Sequence, residues 1–205
     1  MVEYHATMSS KAWLRRHVTD AYVRKAREAG YRSRAAYKLL DIDRQDRILR
    51  PGMRVIDLGA APGGWSQVVA QKVRPGGAVV AVDLLDMAPI PGVQVIRSDF
   101  REVDLEAALG ASADAVLSDM MPNVTGVALV DQARAAELIL EAAALCRKIL
   151  KPEGIFLTKI FQGGSFDEIL AELRGAFQTV SVRKPAASRS ESRETYLLAR
   201  RRKSH

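Results

Sequence analysis

From residue 53 onward the chain alternates short apolar runs with stretches of helical period. Met53–Leu58 reads as a strand that enters a glycine-rich segment, and Trp65–Val73 reads as a helix ended by Pro75-Gly76-Gly77. Ala78–Leu84 and Val93–Ile96 read as the next two strands. A short helix over Leu105–Leu109 leads to a fourth strand, Ala115–Ser118. Leu129–Leu150 carries the 3.6-residue apolar period of a long helix that stops before Pro152, and Ile155–Ile160 is the fifth strand. Ser165-Phe166-Asp167-Glu168 has the form of a capping box, which predicts a helix to about Phe177. Thr179–Arg183 and Thr195–Arg200 complete seven strands. Alternating β and α elements predict an α/β fold, a mostly parallel seven-stranded sheet with helices on both faces.

Two helical pieces precede this core, near Asp20–Glu28 and Arg34–Arg47, broken at Gly30. They carry Arg24, Lys25, Arg27, Arg32, Arg34 and Lys38, with Tyr22, Tyr31 and Tyr37 interleaved. Guanidinium groups that meet phosphates and rings that stack on bases suit an RNA surface. Amphipathic helices that pack their tyrosines on the core give the same pattern. The 205-residue length suits one domain, divided into a basic helical extension (1–52), an α/β core (53–200) and a basic tail (201–205).

Charge sharpens this division. Residues 1–54 balance at +7, residues 55–182 at −6 and residues 183–205 at +6, for a net charge of +7. An acidic centre between two basic ends suggests cationic extensions that meet on one surface and face a polyanion, with RNA or DNA as the leading partner. For Arg200-Arg201-Arg202-Lys203 a solvated tail fits equally well. The single cysteine, Cys146, lies in an Ala/Leu-rich helical stretch and reads as a buried thiol; it cannot form an internal disulfide. His5, His17 and His205 are scattered, so no metal site is expected. No apolar run approaches the ~18 residues of a membrane span, and Lys11, Arg15 and Arg16 interrupt any leader. A cytoplasmic protein without a membrane contact is the expectation.

The segment Asp57-Leu58-Gly59-Ala60-Ala61-Pro62-Gly63-Gly64-Trp65 places a strand-end acid before a Gly-rich turn and a helix. It lies one residue from the dinucleotide pattern G-x-G-x-x-G, with Ala61 in the place of the second glycine. A pyrophosphate needs free backbone N–H groups at the helix start, and Pro62 removes one. S-adenosylmethionine has no phosphate and loses little there. Asp83 ends the second strand, where a carboxylate can accept from both ribose hydroxyls; Asp99 follows the third, where it can accept from an adenine amino group. Each acid alone also reads as a strand-end cap, but both after this loop favour a cofactor site.

The fourth strand ends in Ser118-Asp119-Met120-Met121-Pro122, which places Asp119 at the carboxyl edge of the sheet, where ligands bind. The fifth strand contains one charge, Lys159, inside the run Ile155-Phe156-Leu157-Thr158-Lys159-Ile160-Phe161. A lysine buried in a strand is costly unless paired, so it is the strongest single-residue signal of function. An edge strand with Lys159 snorkelling to solvent is disfavoured by the bulky residues around it.

Arg32-Ser33-Arg34-Ala35, the Asp57–Trp65 loop, Ser118-Asp119, Lys159-Ile160-Phe161-Gln162-Gly163 and Arg183-Lys184-Pro185 through Ser192-Arg193-Glu194 together resemble the FtsJ/RrmJ family, from about Trp13 to Arg200. These are bacterial enzymes that methylate the 2′-oxygen of ribose in large-subunit ribosomal RNA, with a Rossmann-like class I S-adenosylmethionine-dependent fold. The resemblance implies a catalytic tetrad at Lys38, Asp119, Lys159 and Glu194, and cofactor residues at Gly63, Trp65, Asp83, Asp99 and Asp119. It also implies S-adenosylmethionine as cofactor, a uridine of the 23S rRNA A-loop within the 50S subunit as substrate, and a monomer. Met121 departs from the family, which usually has alanine before this proline, but methionine adapts easily at a pocket rim.

A ribose 2′-hydroxyl is a very weak acid, so the enzyme must align oxygen, methyl and sulfur and remove a proton. A neutral lysine amine serves as base: burial and Lys38 favour that form at Lys159, while Asp119 and Glu194 favour the ammonium. Asp119 would orient the amine, and Lys38 and Glu194 would position the ribose. Three other readings compete. A dehydrogenase follows from the near-match to the dinucleotide loop, and Pro62 and Lys159 count against it. A base N-methyltransferase would typically show Asn/Asp-Pro-Pro-aromatic after the fourth strand, where this chain has Asp119-Met120-Met121-Pro122. An RNA-binding assembly factor would tolerate loss of Lys159.

Overall fold

A computed structural model describes residues 20–122, 125–189 and 192–203; expectations on Trp13, the three histidines, and the first and last residues of the chain lie outside them. Two helices open the described chain, α1 (Ala21–Glu28) and α2 (Ala35–Asp46). The core follows as β1 (Arg54–Leu58), α3 (Gly64–Lys72), β2 (Ala78–Asp83), β3 (Gln94–Arg97), α4 (Leu105–Leu109), β4 (Ala113–Ser118), α5 (Ala128–Ile149), β5 (Leu150–Phe161), α6 (Phe166–Ala176), β6 (Phe177–Arg183) and β7 (Glu194–Arg202).

The strands form one seven-stranded sheet in the order β3-β2-β1-β4-β5-β7-β6. β1 to β5 pair in parallel, while β7 runs antiparallel to both β5 and β6. Strands buried on both faces read as continuous apolar runs, which is why β1, β2, β4 and β5 were legible. Alternate residues divide between two cores. Ile56, Val116, Phe156 and Leu197 pack under α4, α5 and α6. Val55, Ala115, Leu157 and Leu198 pack under α2 and α3. Helices therefore cover both faces, as expected.

Three expectations change. Ser165 precedes α6 but makes no side-chain cap bond, because its backbone (φ −94°, ψ 1°) lacks the extended shape that aims a cap oxygen at the first turn. β5 begins at Leu150 rather than Ile155, with its register against β4 broken between Ala113↔Leu150 and Ala115↔Ile155. Arg201 and Arg202 are strand, not tail: β7 continues through them, and Lys203 donates from its backbone to Ala176 O at 2.9 Å.

The two basic ends do meet. Arg183 donates to both carboxylate oxygens of Asp46 (2.6 and 2.7 Å), Ala187 N donates to Asp41 (3.0 Å), and Arg34 donates to Ala187 O. Asp20 caps α1 and pairs with Arg34 and Arg189. Acids within the basic segments thus weld α1 and α2 to the chain before β7. Tyr22, Tyr31 and Tyr37 pack on one another, with centroids 5.5 and 5.9 Å apart, and stay half-buried. Cys146 is buried, and desolvation pushes its thiol well up, which suits a structural residue. Among the described residues no helix is long and apolar enough to cross a membrane.

Candidate active site

Neighbouring strand order reverses between β1 and β4, and the crevice at their carboxyl ends is where open sheets of this kind bind ligands. The glycine loop fills one side of it. Gly59 has φ +71°, and a Cβ there would lie 2.9 Å from Met120 Cα, so only glycine lets the loop pass the end of β4. Gly63 (φ +108°) starts α3, against Ile90 and the Arg32 guanidinium.

Beneath the loop, Asp57 is fully buried. Its Oδ2 accepts from Ser66 Oγ at 2.6 Å, and its Oδ1 has no partner among the described residues. Desolvation, together with the charges of Asp119 and Asp83, outweighs the Ser66 hydrogen bond and pushes its pKa up to about 7. A buried acceptor left open under a ligand loop is a natural seat for a cationic group, either directly or through water. Asp83 accepts from Ala61 N (2.9 Å) and Leu85 N (2.8 Å), so it pins the loop to the end of β2. Asp99 caps the turn after β3, and hydrogen bonds from Arg101 hold its carboxyl below the usual range. The capping role is therefore realised at both acids; each oxygen of Asp83 retains capacity for a further donor, and at Asp99 that capacity is left on Oδ2. Trp65 is buried, with Nε1 donating to Ala35 O at 2.8 Å; its side chain joins α3 to α2.

Arg32 was legible only as part of a motif. Its Nη1 donates to Pro62 O (3.2 Å) and Ala88 O (2.6 Å), and its Nη2 to Pro89 O (2.8 Å). Its backbone N donates to Gln67 Oε1 at 2.8 Å. One guanidinium thus ties the glycine loop, the β2–β3 connection and the segment before α2.

Across the crevice, Lys38, Asp119, Lys159 and Glu194 come together from α2, the end of β4, β5 and β7. Lys159 has 8% of its side chain exposed; Nζ donates to Asp119 O at 2.7 Å and lies 3.3 Å from Asp119 Oδ1. Lys38 Nζ reaches both oxygens of Glu194, at 2.7 and 2.8 Å. Burial would raise the pKa of Glu194, but the ammonium of Lys38, with Lys159 and the Ser188 hydroxyl, overcomes this and holds the carboxyl below its ordinary value. The four residues form two ion pairs, and a fifth residue joins them. Tyr196 OH lies 3.0 Å from Asp119 Oδ1 and 3.3 Å from Glu194 Oε1. A phenol has one proton to donate, so the shorter contact to Asp119 takes it. Burial and the two carboxylates push the Tyr196 phenol well above its usual range, which keeps it a donor. Sequence reading missed Tyr196; the available signal was its i, i+2 spacing from Glu194, which puts both on one face of β7. Its ring packs on Trp65 at 5.7 Å.

The residues present fit a cofactor with an adenosine part, a cationic part and no phosphate: strand-end carboxylates at β1, β2 and β3, and a loop whose helix start lacks the Pro62 donor. Among the described residues no group of His, Cys, Asp and Glu is arranged for a metal. The sheet order, the acid-lined glycine loop and the lysine–carboxylate network define a class: a Rossmann-like α/β methyltransferase.

Comparison with known proteins narrows the class. The FtsJ-like methyltransferase family profile matches residues 31–202. The chain is 51% identical to a ribosomal RNA large subunit methyltransferase E of Methylobacillus flagellatus over 95% of this chain and 97% of that protein. It is 53% identical to the protein of the same description from Thiobacillus denitrificans, over 95% and 91% of the two chains. Among solved structures, a Plasmodium falciparum protein described as a ribosomal RNA methyltransferase superposes with a TM-score of 0.76 at 27% identity, over 85% of this chain and 100% of that one. The chain belongs to the FtsJ-like methyltransferase family, and it is an enzyme of the methyl-transferring class.

Proposed function

We propose that this protein transfers a methyl group from S-adenosylmethionine to the ribose 2′-oxygen of a uridine in the A-loop of 23S rRNA, within the assembled 50S subunit. The protein acts as a cytoplasmic monomer, and the whole chain serves as one methyltransferase domain. The observation that carries this reading is Lys159, a nearly buried amine held at the strand ends by Asp119 and linked through Tyr196 to the Lys38–Glu194 pair. The relatives described as ribosomal RNA large subunit methyltransferases support the substrate.

S-adenosylmethionine supplies an electrophilic methyl on a sulfonium. Gly63, Asp83, Asp99 and Asp119 hold it, with Asp57 beneath, and Trp65 fixes the helix that presents the loop. Lys159 Nζ, in its neutral amine form, takes the 2′-hydroxyl proton as general base. The backbone carbonyl of Asp119 accepts from this amine at 2.7 Å, which aims its remaining valence at the acceptor. Lys38 and Glu194 position the ribose and balance charge, with their mutual ion pair fixing α2 against β7.

The test is transfer of labelled methyl to bare 23S rRNA and to 50S subunits lacking the modification, followed by mapping of the modified ribose. Transfer to the 2′-oxygen of one A-loop uridine, faster on subunits, is the expected result. Lys159→Ala should abolish transfer while leaving S-adenosylmethionine affinity within about threefold, and Lys159→Arg should not restore it, because guanidinium offers no free base. Near-normal turnover in Lys159→Ala would overturn the assignment.

A further inference from the structure

The end of β4 separates two regions. Asp119 points to the lysine–carboxylate network, and the next residue, Met120, packs on the opposite core, beneath α5. There a cleft of about 270 Å³ opens between the ends of β4 and β5, α5 and the start of α6. Its walls are mainly apolar, from Met120, Ile139, Ile160 and Phe161, and it reaches Lys159. The rim is also apolar: Met121 is 54% exposed and lines the cleft. Polar groups converge at the edge. Gln132 lies against Gly163, where a Cβ would meet its amide nitrogen at 3.4 Å, and Gln162 also lines the cleft. Arg193, exposed, supplies a cation, and its carbonyl accepts from Gln162 N at 3.0 Å, which holds the two segments together.

The wall is built rather than incidental. Asp131 of α5 accepts from Thr125 N and Oγ1, both at 2.7 Å, and from Gly126 N at 3.1 Å. These bonds hold its carboxyl below the usual range and fasten the loop after β4 to the first turn of α5.

We infer that this cleft receives an unpaired nucleobase of the substrate RNA, at or next to the acceptor nucleotide. This deepens the proposed function and rests on it. A base offers apolar faces, an amide-like edge and an attached phosphate; the cleft offers aliphatic and aromatic walls, two carboxamides and one guanidinium. A phosphate or sugar alone would not match a mainly apolar wall. A base attached to, or one nucleotide away from, the ribose at Lys159 comes within reach of the cleft, because both open on the same strand ends. RNA read in loops is read through splayed bases of this kind, so the cleft fixes which ribose is presented to Lys159.

The experiment is a thermodynamic cycle on affinity, which is independent of turnover. Large ribosomal subunits are reconstituted from rRNA that is intact or abasic at the acceptor, the preceding or the following nucleotide. Binding is measured with S-adenosylhomocysteine present, for wild type, Ala135→Phe, which fills the cleft, and Gln132→Ala. Affinity for S-adenosylhomocysteine alone reports intact folding of each variant. Ala135→Phe should weaken binding to intact subunits about tenfold, and the loss should vanish at one of the three abasic subunits, with a smaller parallel effect for Gln132→Ala. Equal losses on intact and all abasic subunits, or no loss anywhere, would overturn the base assignment, equal losses marking a contact with another part of the particle. Failure of the wild type to methylate any 2′-oxygen of these subunits would instead overturn the reading on which the inference rests.

Discussion

Asp57 makes the stability of the enzyme depend on pH in an unusual direction. Its carboxyl is fully buried, with one oxygen bonded to Ser66 and the other open, and its pKa is raised to about 7. In the unfolded chain it titrates near the ordinary aspartate value, about 3.9. Between these values the folded state holds a proton that the unfolded state has released. Stability from this group is therefore fully present below the unfolded pKa and is lost as pH rises through 7. Integrating the linkage relation from pH 5 to pH 8 gives a loss of about 3 kcal/mol from this one site. Asp57→Asn keeps an acceptor for Ser66 and cannot ionise. Its amide nitrogen lacks a partner at a cost of about 1–3 kcal/mol, but that cost is the same at every pH. Urea unfolding of both proteins at pH 5 and pH 8 isolates the slope. The stability difference between wild type and Asp57→Asn should move by about 3 kcal/mol in favour of wild type at pH 5. Saturating S-adenosylmethionine should flatten the dependence, because a cation at the loop stabilises the carboxylate. A difference that stays constant between the two pH values would show that Asp57 holds no proton at pH 5 in the folded state.

Tyr196→Phe removes the donor to Asp119 and the hydroxyl that bridges it to Glu194. Hydrogen bonds to charged groups are worth about 1.5–3 kcal/mol, so kcat should fall roughly tenfold to a hundredfold with little change in cofactor affinity, read by single-turnover kinetics and calorimetry. A change confined to cofactor affinity would count against the bridging role. Arg32→Ala releases three carbonyls on the glycine loop and the β2–β3 connection. It should weaken S-adenosylmethionine binding about tenfold, the worth of one to two net hydrogen bonds, and Arg32→Lys should recover only part, since an ammonium cannot span both loops.

Much of this was legible in the chain because burial leaves a pattern. The runs of β1, β2, β4 and β5 are apolar on both faces, and Lys159 stood out as the one charge that such a strand would not carry without a purpose. The resemblance to a known family placed Lys38 and Glu194, which periodicity alone could not pair: 156 residues separate them, and only the insertion of β7 between β5 and β6 makes them neighbours. Tyr196 looked like an ordinary strand aromatic, because its hydroxyl meets one carboxylate from the end of β4 and another two residues back on its own strand. The basic ends read as one charged surface. Their meeting was foreseen, but not that Asp20 and Asp46 would consume several of the cations in holding them together. Ser165 misled for the opposite reason: a capping box is a statement about sequence, and the backbone at that residue takes another shape.

The position of β7 has a consequence for when the enzyme comes into being. This strand is the last of the described strands in sequence, yet it sits inside the sheet and delivers Glu194 and Tyr196 to the network. Until β7 pairs, the slot between β5 and β6 stays open. Closing that slot requires pairing over long sequence separations, the slow kind of folding event. Without Glu194 onward, Lys38 and Asp119 each lack their β7 partner, and the lysine–carboxylate network cannot form. This strand ties completion of the sheet to assembly of the network, and a half-folded copy without it would keep the glycine loop but not the Lys38–Glu194 pair.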